Sequence, residues 1–456
     1  MMNDMKTMVD NFVNSIFVHC KTCLWSINPK VTYKELENVV ENNINIIKQN
    51  KIHHDTLIIL DTNLGWRLVP ILLAFFKCRI TVLPFDFKEL PEEYASYTLI
   101  SQGHVDEHGC LSNVEVSNKG QSLNDIALIL CTSGSLGKAK AVKLTYDNIM
   151  YNVIANAKVI NQLDSERFYI SRPLYHASAI VAEVFTGLIL NKSMYFRQKN
   201  FTPSSFLQDV KKKELDTLFS TPTIMYQLTK VKKTEKLPVK NIVLSGEIPK
   251  YKQIEEISNY FDQSQIINAY GLTEASPRVC INLNVSKENY NNVGKPLENI
   301  QLKIKEDELY IQGPNIMNGY WNNEDKTNEV KHEGWLRTKD IAIQEKDGSI
   351  TIMGRKDDLL IRAGVNLHAH TLEEIINSSS SIKQSFVYGV NSNKLGQEIV
   401  CLLVAKSVDF KVIDLFQYLK SRSVPQRFWP DRVKLVKEIP KNKIGKRKRL
   451  VWWCQD

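Results

Sequence analysis

Apolar positions along this chain fall into two alternating patterns. Short solid runs at 57–60, 81–83 and 126–131 read as buried strands, and runs at 168–170, 217–219, 242–244 and 265–267 repeat the signature. Between them the spacing turns helical. Leu36, Val39, Val40, Ile44 and Ile47 recur on one side after an extended start at Val31. Residues 68–76 are apolar on every side, as a core helix requires. Thr145 offers an N-cap hydroxyl for a helix with apolar positions at Ile149, Val153, Ala157 and Ile160. Strand and helix alternate, which predicts layered α/β sheets.

Past residue 302 the texture changes. Short strands at 309–311, 341–343 and 350–352, punctuated by Gly334, Gly348 and Gly354, predict a small β-barrel-like part at 300–355. A second pattern of strands and helices follows, with strands near 386–388 and 398–404 and helices near 371–377 and 411–420. The expected division is a large N-terminal domain at 1–355 and a smaller α+β domain at 356–456, joined at the charged run Arg355-Lys356-Asp357-Asp358.

Composition sets limits. The 456 residues exceed a single core, and 43% hydrophobic with 24% charged residues is the balance of a soluble globular protein. The longest apolar run, 68–76, is half what a bilayer crossing needs. The N-terminus lacks a signal-peptide core and carries Asp4 and Asp10, so a cytoplasmic location with reduced thiols is expected. Cys20 and Cys23 are the one close cysteine pair, and no second pair completes a zinc site. The net charge of +9 gathers at 211–213, 230–236 and 441–449. Such a tail could grip nucleic acid or phosphorylated small molecules, or be a solvated face, and no nucleic-acid-binding motif accompanies it.

Candidate chemistry begins where the run 126–131 ends. Thr132-Ser133-Gly134-Ser135-Leu136-Gly137-Lys138-Ala139-Lys140 is a hydroxyl- and glycine-rich loop with two lysines. Glycines let main-chain N–H groups converge, hydroxyls add donors and lysines add charge, a combination suited to a polyphosphate. It is not a Walker loop, because Thr132 stands where the first glycine should and Ala139 follows Lys138. Taken singly, the stretch favours the polyphosphate reading over an ordinary polar turn, which stays the alternative.

Six further polar clusters follow: Pro173-Leu174-Tyr175-His176, Ser245-Gly246-Glu247, Asn268-Ala269-Tyr270-Gly271-Leu272-Thr273-Glu274, Gly334-Trp335-Leu336-Arg337-Thr338-Lys339-Asp340, Gly354-Arg355-Lys356-Asp357-Asp358 and Pro440-Lys441-Asn442-Lys443-Ile444-Gly445-Lys446. In this order and at these separations they resemble the adenylate-forming superfamily of acyl-CoA synthetases, aryl-acid ligases and peptide-synthetase adenylation domains. The resemblance runs from about Val31 to Arg449. It implies an ATP-dependent, AMP-forming carboxylic acid–thiol ligase using Mg²⁺. The acid attacks the α-phosphate to give acyl-AMP and pyrophosphate, and the acyl group then passes to coenzyme A or to the phosphopantetheine of a separate carrier protein. One anion is brought onto another, so catalysis must be charge neutralisation and alignment.

The resemblance also implies roles. Thr132, Ser133, Gly134, Ser135, Gly137 and Lys140 would hold the β- and γ-phosphates. Glu274, with Thr132, would help bind Mg²⁺, and Thr273 would contact the α-phosphate. Tyr270 would stack on adenine near Gly246 and Glu247, within the nucleotide-binding run Asn268-Ala269-Tyr270-Gly271. Asp340 would accept from the ribose hydroxyls with Arg355 close by. Lys446 would place an ammonium between the acid and the α-phosphate, and Asp357 matches the hinge of a mobile C-terminal domain. Arg362-Ala363-Gly364-Val365-Asn366 resembles the second face that such a domain presents after turning.

The chain departs from the pattern at Leu136, Ala139 and Ala141 in the loop, at Lys339 in place of a glycine and at Ala369 in place of a proline. Amino-acid-activating members keep an acid at the position of His176, so a substrate acid without an α-amino group is expected, although Glu183 lies seven residues on. Ala275-Ser276-Pro277-Arg278 would line the far side of the acyl pocket. Arg278 could meet a second carboxylate, favouring a diacid such as succinylbenzoate, or be a surface arginine. A stand-alone amino-acid-adenylating enzyme and a non-catalytic nucleotide-binding module remain alternatives.

Overall fold

Six strands build the sheet from which the hydroxyl-rich loop leaves, in the order Gly319–Tyr320, Lys140–Thr145, Ile126–Thr132, Thr81–Phe85, Leu57–Asp61 and Thr98–Ile100. The four from Ile126–Thr132 to Thr98–Ile100 run parallel. Lys140–Thr145 turns back antiparallel and sets Lys140 opposite Thr132. Leu57–Asp61 is buried throughout, as a strand covered on both faces must be. Thr81–Phe85 extends past the apolar run 81–83 through Pro84, because a proline costs only its own N–H and is tolerated near a strand terminus.

The computed structural model describes every residue except 1, 18–22, 26–29, 55, 95, 113, 115–122, 124, 133–139, 198–200, 234, 357–358, 363–364, 393–395 and 441–456. These residues form two compact units, one of 1–304, 310–338 and 344–351, the other of 305–309, 339–343 and 352–456.

In the first unit a larger sheet carries a parallel core of Gln265–Gly271, Asn241–Leu244, Thr217–Ser220, Arg167–Ile170, Ser193–Phe196 and Cys23–Trp25. Arg278–Asn282 adds to Gln265–Gly271 in the opposite sense, with Gly271 facing Arg278. The flanking helices follow the apolar spacing. Thr145 accepts from Asn148 N and caps Tyr146–Ile160, whose Ile149, Val153, Ala157 and Ile160 are all buried. Thr32 caps Tyr33–Gln49, and Leu68–Lys77 is buried from Leu68 to Phe76. One helix, Met2–Ile16, was not expected, although Val9, Phe12, Val13 and Ile16 are buried at helical spacing.

In the second unit Ile382–Ser392, Gly396–Ala405 and Arg432–Leu435 form a sheet packed by the helices Ala369–Asn377 and Val412–Ser421. Leu372, Ile376, Leu403, Leu415 and Leu419 are its core. The intervening segment consists of short strands, Gln301–Lys305, Glu308–Gln312, Trp335–Gln344 and Ile350–Arg355, in line with the β-rich texture. The architecture is the expected α/β one. Among the described residues no helix is long and apolar enough to cross a membrane, and no cluster of His, Cys, Asp and Glu is suited to a metal.

Candidate active site

The main parallel strands end close together, and their ends carry the polar clusters, as expected for open α/β sheets. Gln265–Gly271 stops because the chain doubles back on itself. Leu272 N donates to Pro277 O at 3.0 Å, and a Cβ on Gly271 would lie 1.8 Å from that same oxygen. Only glycine fits there. The short helix Thr273–Ala275 follows, with Ser276 in the left-handed region at φ 67.

This turn is fastened to the loop-bearing sheet by residues 317–321. Met317 N donates to Glu274 O at 2.9 Å, Asn318 N to Lys143 O at 2.9 Å and Trp321 N to Ala141 O at 2.7 Å. Tyr320, opposite Val142 in the strand pair, donates its hydroxyl to Glu274 Oε1 at 2.8 Å. The Lys140 ammonium lies 5.2 Å above the same ring. Thr132 Oγ1 donates to Lys140 O at 3.4 Å. Lys140 and Glu274 thus meet at Tyr320, a residue the sequence did not single out, and Thr132 joins them through Lys140 on the next strand. Ser133, Gly134, Ser135 and Gly137 lie outside the described residues, as do Asp357 and Lys446.

Glu274 fits a hard divalent cation. Its carboxylate is half-buried, takes one hydrogen bond, and has no lysine or arginine at ion-pair distance among the described residues. Mg²⁺ is bound by one or two such carboxylates together with substrate phosphates.

Gly246, at φ 86, and Glu247 form an exposed turn after Asn241–Leu244, and Thr223 donates to the Glu247 carboxylate. Tyr270 is half-buried. Asn268 and Ala269 are buried in the sheet, and Asn268 Nδ2 donates to Asn292 O at 3.2 Å, so these two side chains brace the strand. His176 is half-buried with its ring 4.4 Å from that of Tyr175, just before the π-helix Ser178–Phe185. Burial, then Asp86 and Glu89, raise the Tyr175 phenol. In the second unit Arg355 Nη1 meets Asp340 Oδ1 at 3.0 Å, and Asp340 is buried. Lys339 holds φ 62, which explains why a glycine suits that position, and its N–H donates to Glu308 Oε1 at 3.1 Å.

The AMP-binding enzyme family model matches residues 87–321, and the model of its C-terminal domain matches 371–446. The chain belongs to the AMP-binding enzyme family. Membership carries the reaction class expected from the motifs, that of an ATP-dependent, AMP-forming acid–thiol ligase. The chain is 26% identical over 351 residues to a 2-succinylbenzoate–CoA ligase of Bacillus pumilus, covering 74% of this chain and 70% of the relative. It is 25% identical over 338 residues to a long-chain-fatty-acid–CoA ligase of Salmonella typhimurium, covering 71% and 60%. Its fold matches ATP-bound MatB from Rhodopseudomonas palustris with TM-score 0.83 at 18% identity, covering 96% of this chain and 97% of that one. It also matches the o-succinylbenzoate CoA synthetase of Bacillus subtilis in complex with its acyl-adenylate, with TM-score 0.81 at 21% identity over 96% of each chain.

Sequence inspection missed Tyr320 because 46 residues separate it from Glu274. Arg172 was missed as well. It follows Arg167–Ile170, and its Nη2 donates to Ser220 O at 2.7 Å and Ser245 Oγ at 2.8 Å, tying three strand ends together. Arg278 is not a surface residue: it is 3% exposed.

Proposed function

We propose that this AMP-forming ligase joins an acyl or aryl acid without an α-amino group to coenzyme A. The observation that carries the proposal is the Lys140–Tyr320–Glu274 group, which puts a cation and a carboxylate suited to Mg²⁺ on one support. Bound Mg²⁺ would neutralise phosphate charge, with Glu274 and Thr132 as its protein ligands. Lys140 and the preceding loop hold the β- and γ-phosphates, and Thr273 lies beside the α-phosphate. Tyr270, Gly246 and Glu247 receive adenine, and Asp340, oriented by Arg355, receives the ribose hydroxyls. A carboxylate oxygen of the acid forms a bond to the α-phosphorus as the bond to the bridging oxygen breaks, and pyrophosphate leaves with that electron pair. Lys446 lowers the repulsion between the two anions.

In the second step a thiol sulfur bonds to the acyl carbon, the acyl–phosphate oxygen bond breaks, AMP leaves and the thiol proton goes to solvent. A turn of residues 356–456 about Asp357 separates the two steps. The CoA ligases among the relatives favour coenzyme A over the phosphopantetheine of a carrier protein as the acceptor. A cytoplasmic site, where ATP and coenzyme A are both at hand, belongs to the same proposal. Incubation with ATP, Mg²⁺, coenzyme A and a panel of fatty, aryl and amino acids tests it. Acyl-CoA and AMP should form in equal amounts from acids lacking an α-amino group. Thioester on a carrier protein alone, or turnover of amino acids alone, would contradict it.

A further inference from the structure

Glu308 is a buried acid among the ends of three neighbouring strands, at 308–309, 339–343 and 352–355, all in the second unit. Its side chain is 1% exposed, and its two oxygens face different segments. Oε1 accepts from Lys339 N at 3.1 Å, and Oε2 accepts from the Lys356 ammonium at 3.0 Å. Beside it, Arg355 Nη1 meets Asp340 Oδ1 at 3.0 Å. Residues 339 and 340 of the middle strand are thus tied to residues 356 and 355 at the end of the third. One tie is direct, and the other runs through Glu308.

A buried carboxylate needs both charge and hydrogen bonds to answer it, and Lys356 with the Lys339 N–H supplies them. The N–H is the one just before Asp340, on a residue held in the left-handed region at φ 62. A neutral acceptor would serve that N–H equally well, so the charge at 308 is matched to Lys356. Lys356 in turn immediately precedes Asp357, the residue about which the proposed turn takes place. A hinge works when a few positions absorb the rotation and their neighbours stay put.

We propose that Glu308 is a positioning residue that anchors Lys356 to the ribose-binding strand, so that the moving part starts at Asp357 and Asp340 is left in place. This rests on the ligase assignment and on the turn about Asp357. With Lys356 held, the AMP portion of the acyl-adenylate stays on Asp340 while the thiol arrives. With Lys356 released, the turn pulls on Arg355 and through it on Asp340, and the step after the turn suffers most.

The test compares two rates of the full chain: acid-dependent ATP–pyrophosphate exchange, and thioester formation from supplied acyl-AMP and coenzyme A. The acid is the one in the panel that gives the fastest exchange. Glu308→Gln keeps an acceptor for the Lys339 N–H and removes the charge facing Lys356. It should lower the ratio of thioester formation to exchange by about 3- to 10-fold, as suits a charged hydrogen bond to a lysine that is 35% exposed. Both rates are read on one preparation, so any loss of folded protein cancels in the ratio. Lys356→Met should lower the ratio equally, which keeps the test open if the Glu308 variant fails to fold. The double variant should do no worse than either single one. Equal losses in both half-reactions, an unaltered ratio, or additive losses in the double variant would each overturn the proposal and leave the ligase assignment standing. Exchange with none of the acids would overturn both.

Discussion

The Tyr320 hydroxyl donates to Glu274 Oε1 at 2.8 Å while the Tyr320 ring lies 5.2 Å beneath the Lys140 ammonium. One side chain therefore contacts both the carboxylate that suits Mg²⁺ and the lysine that follows the proposed phosphate-binding loop. It does so from a two-residue strand, Gly319–Tyr320, whose own placement depends on pairing with Lys140–Thr145.

Tyr320→Phe keeps the ring under Lys140 and removes the hydrogen bond. A bond to a charged group is worth about 1.5–3 kcal/mol, so kcat/KM for ATP should fall by roughly tenfold or more. The loss should shrink as Mg²⁺ is raised, since a less oriented Glu274 weakens metal binding. Steady-state exchange at several Mg²⁺ concentrations checks this, and an unchanged kcat/KM would remove Tyr320 from the site.

Lys339 takes the left-handed conformation, φ 62, beside the buried Asp340. A side chain there costs about 1 kcal/mol that glycine avoids. Lys339→Gly should gain a good part of that cost in unfolding free energy. Chemical denaturation measures the difference, and a destabilised variant would show that the Lys339 side chain contributes more than its backbone strain.

Burial raises the Glu183 carboxyl above its ordinary value of 4.5, against the pull of Arg172 and Arg278. The folded protein then keeps a proton that the unfolded chain has already released. Its contribution is complete below the ordinary value and is lost as pH rises toward the raised one. Wild type should therefore lose stability relative to Glu183→Gln as pH rises through that window, measured by urea unfolding. A difference that grows in favour of wild type would mean that the two arginines outweigh burial.

Lys446 and the hinge at Asp357 lie outside the described residues. Their proposed roles separate the two half-reactions. Lys446→Ala should abolish exchange, yet thioester formation from supplied acyl-AMP and coenzyme A should survive. Unchanged exchange would mean that another tail cation does this work.

The sheet strands and the capped helices were legible because their signals are local. Thr145 followed by Ile149, Val153, Ala157 and Ile160 states both a start and a buried face, and the helix formed as spaced. Thr132, Glu274 and Asp340 were legible only through the order of the polar clusters, since each alone is an unremarkable polar residue. What the sequence hid depends on distance along the chain. Tyr320 reaches Glu274 across 46 residues, and the Arg172–Glu183–Arg278 cluster exists only after the strand ends have converged. The burial of Arg278 was equally hidden, because a lone arginine after a proline says nothing about its surroundings.

Acid-dependent ATP–pyrophosphate exchange is the most direct measurement of whether these groups act as one site. Label from pyrophosphate should appear in ATP only when Mg²⁺ and an accepted acid are both present, and Glu274→Gln should suppress it by on the order of 100-fold. Tight ATP binding without exchange across the acid panel, or exchange indifferent to Glu274→Gln, would contradict the account.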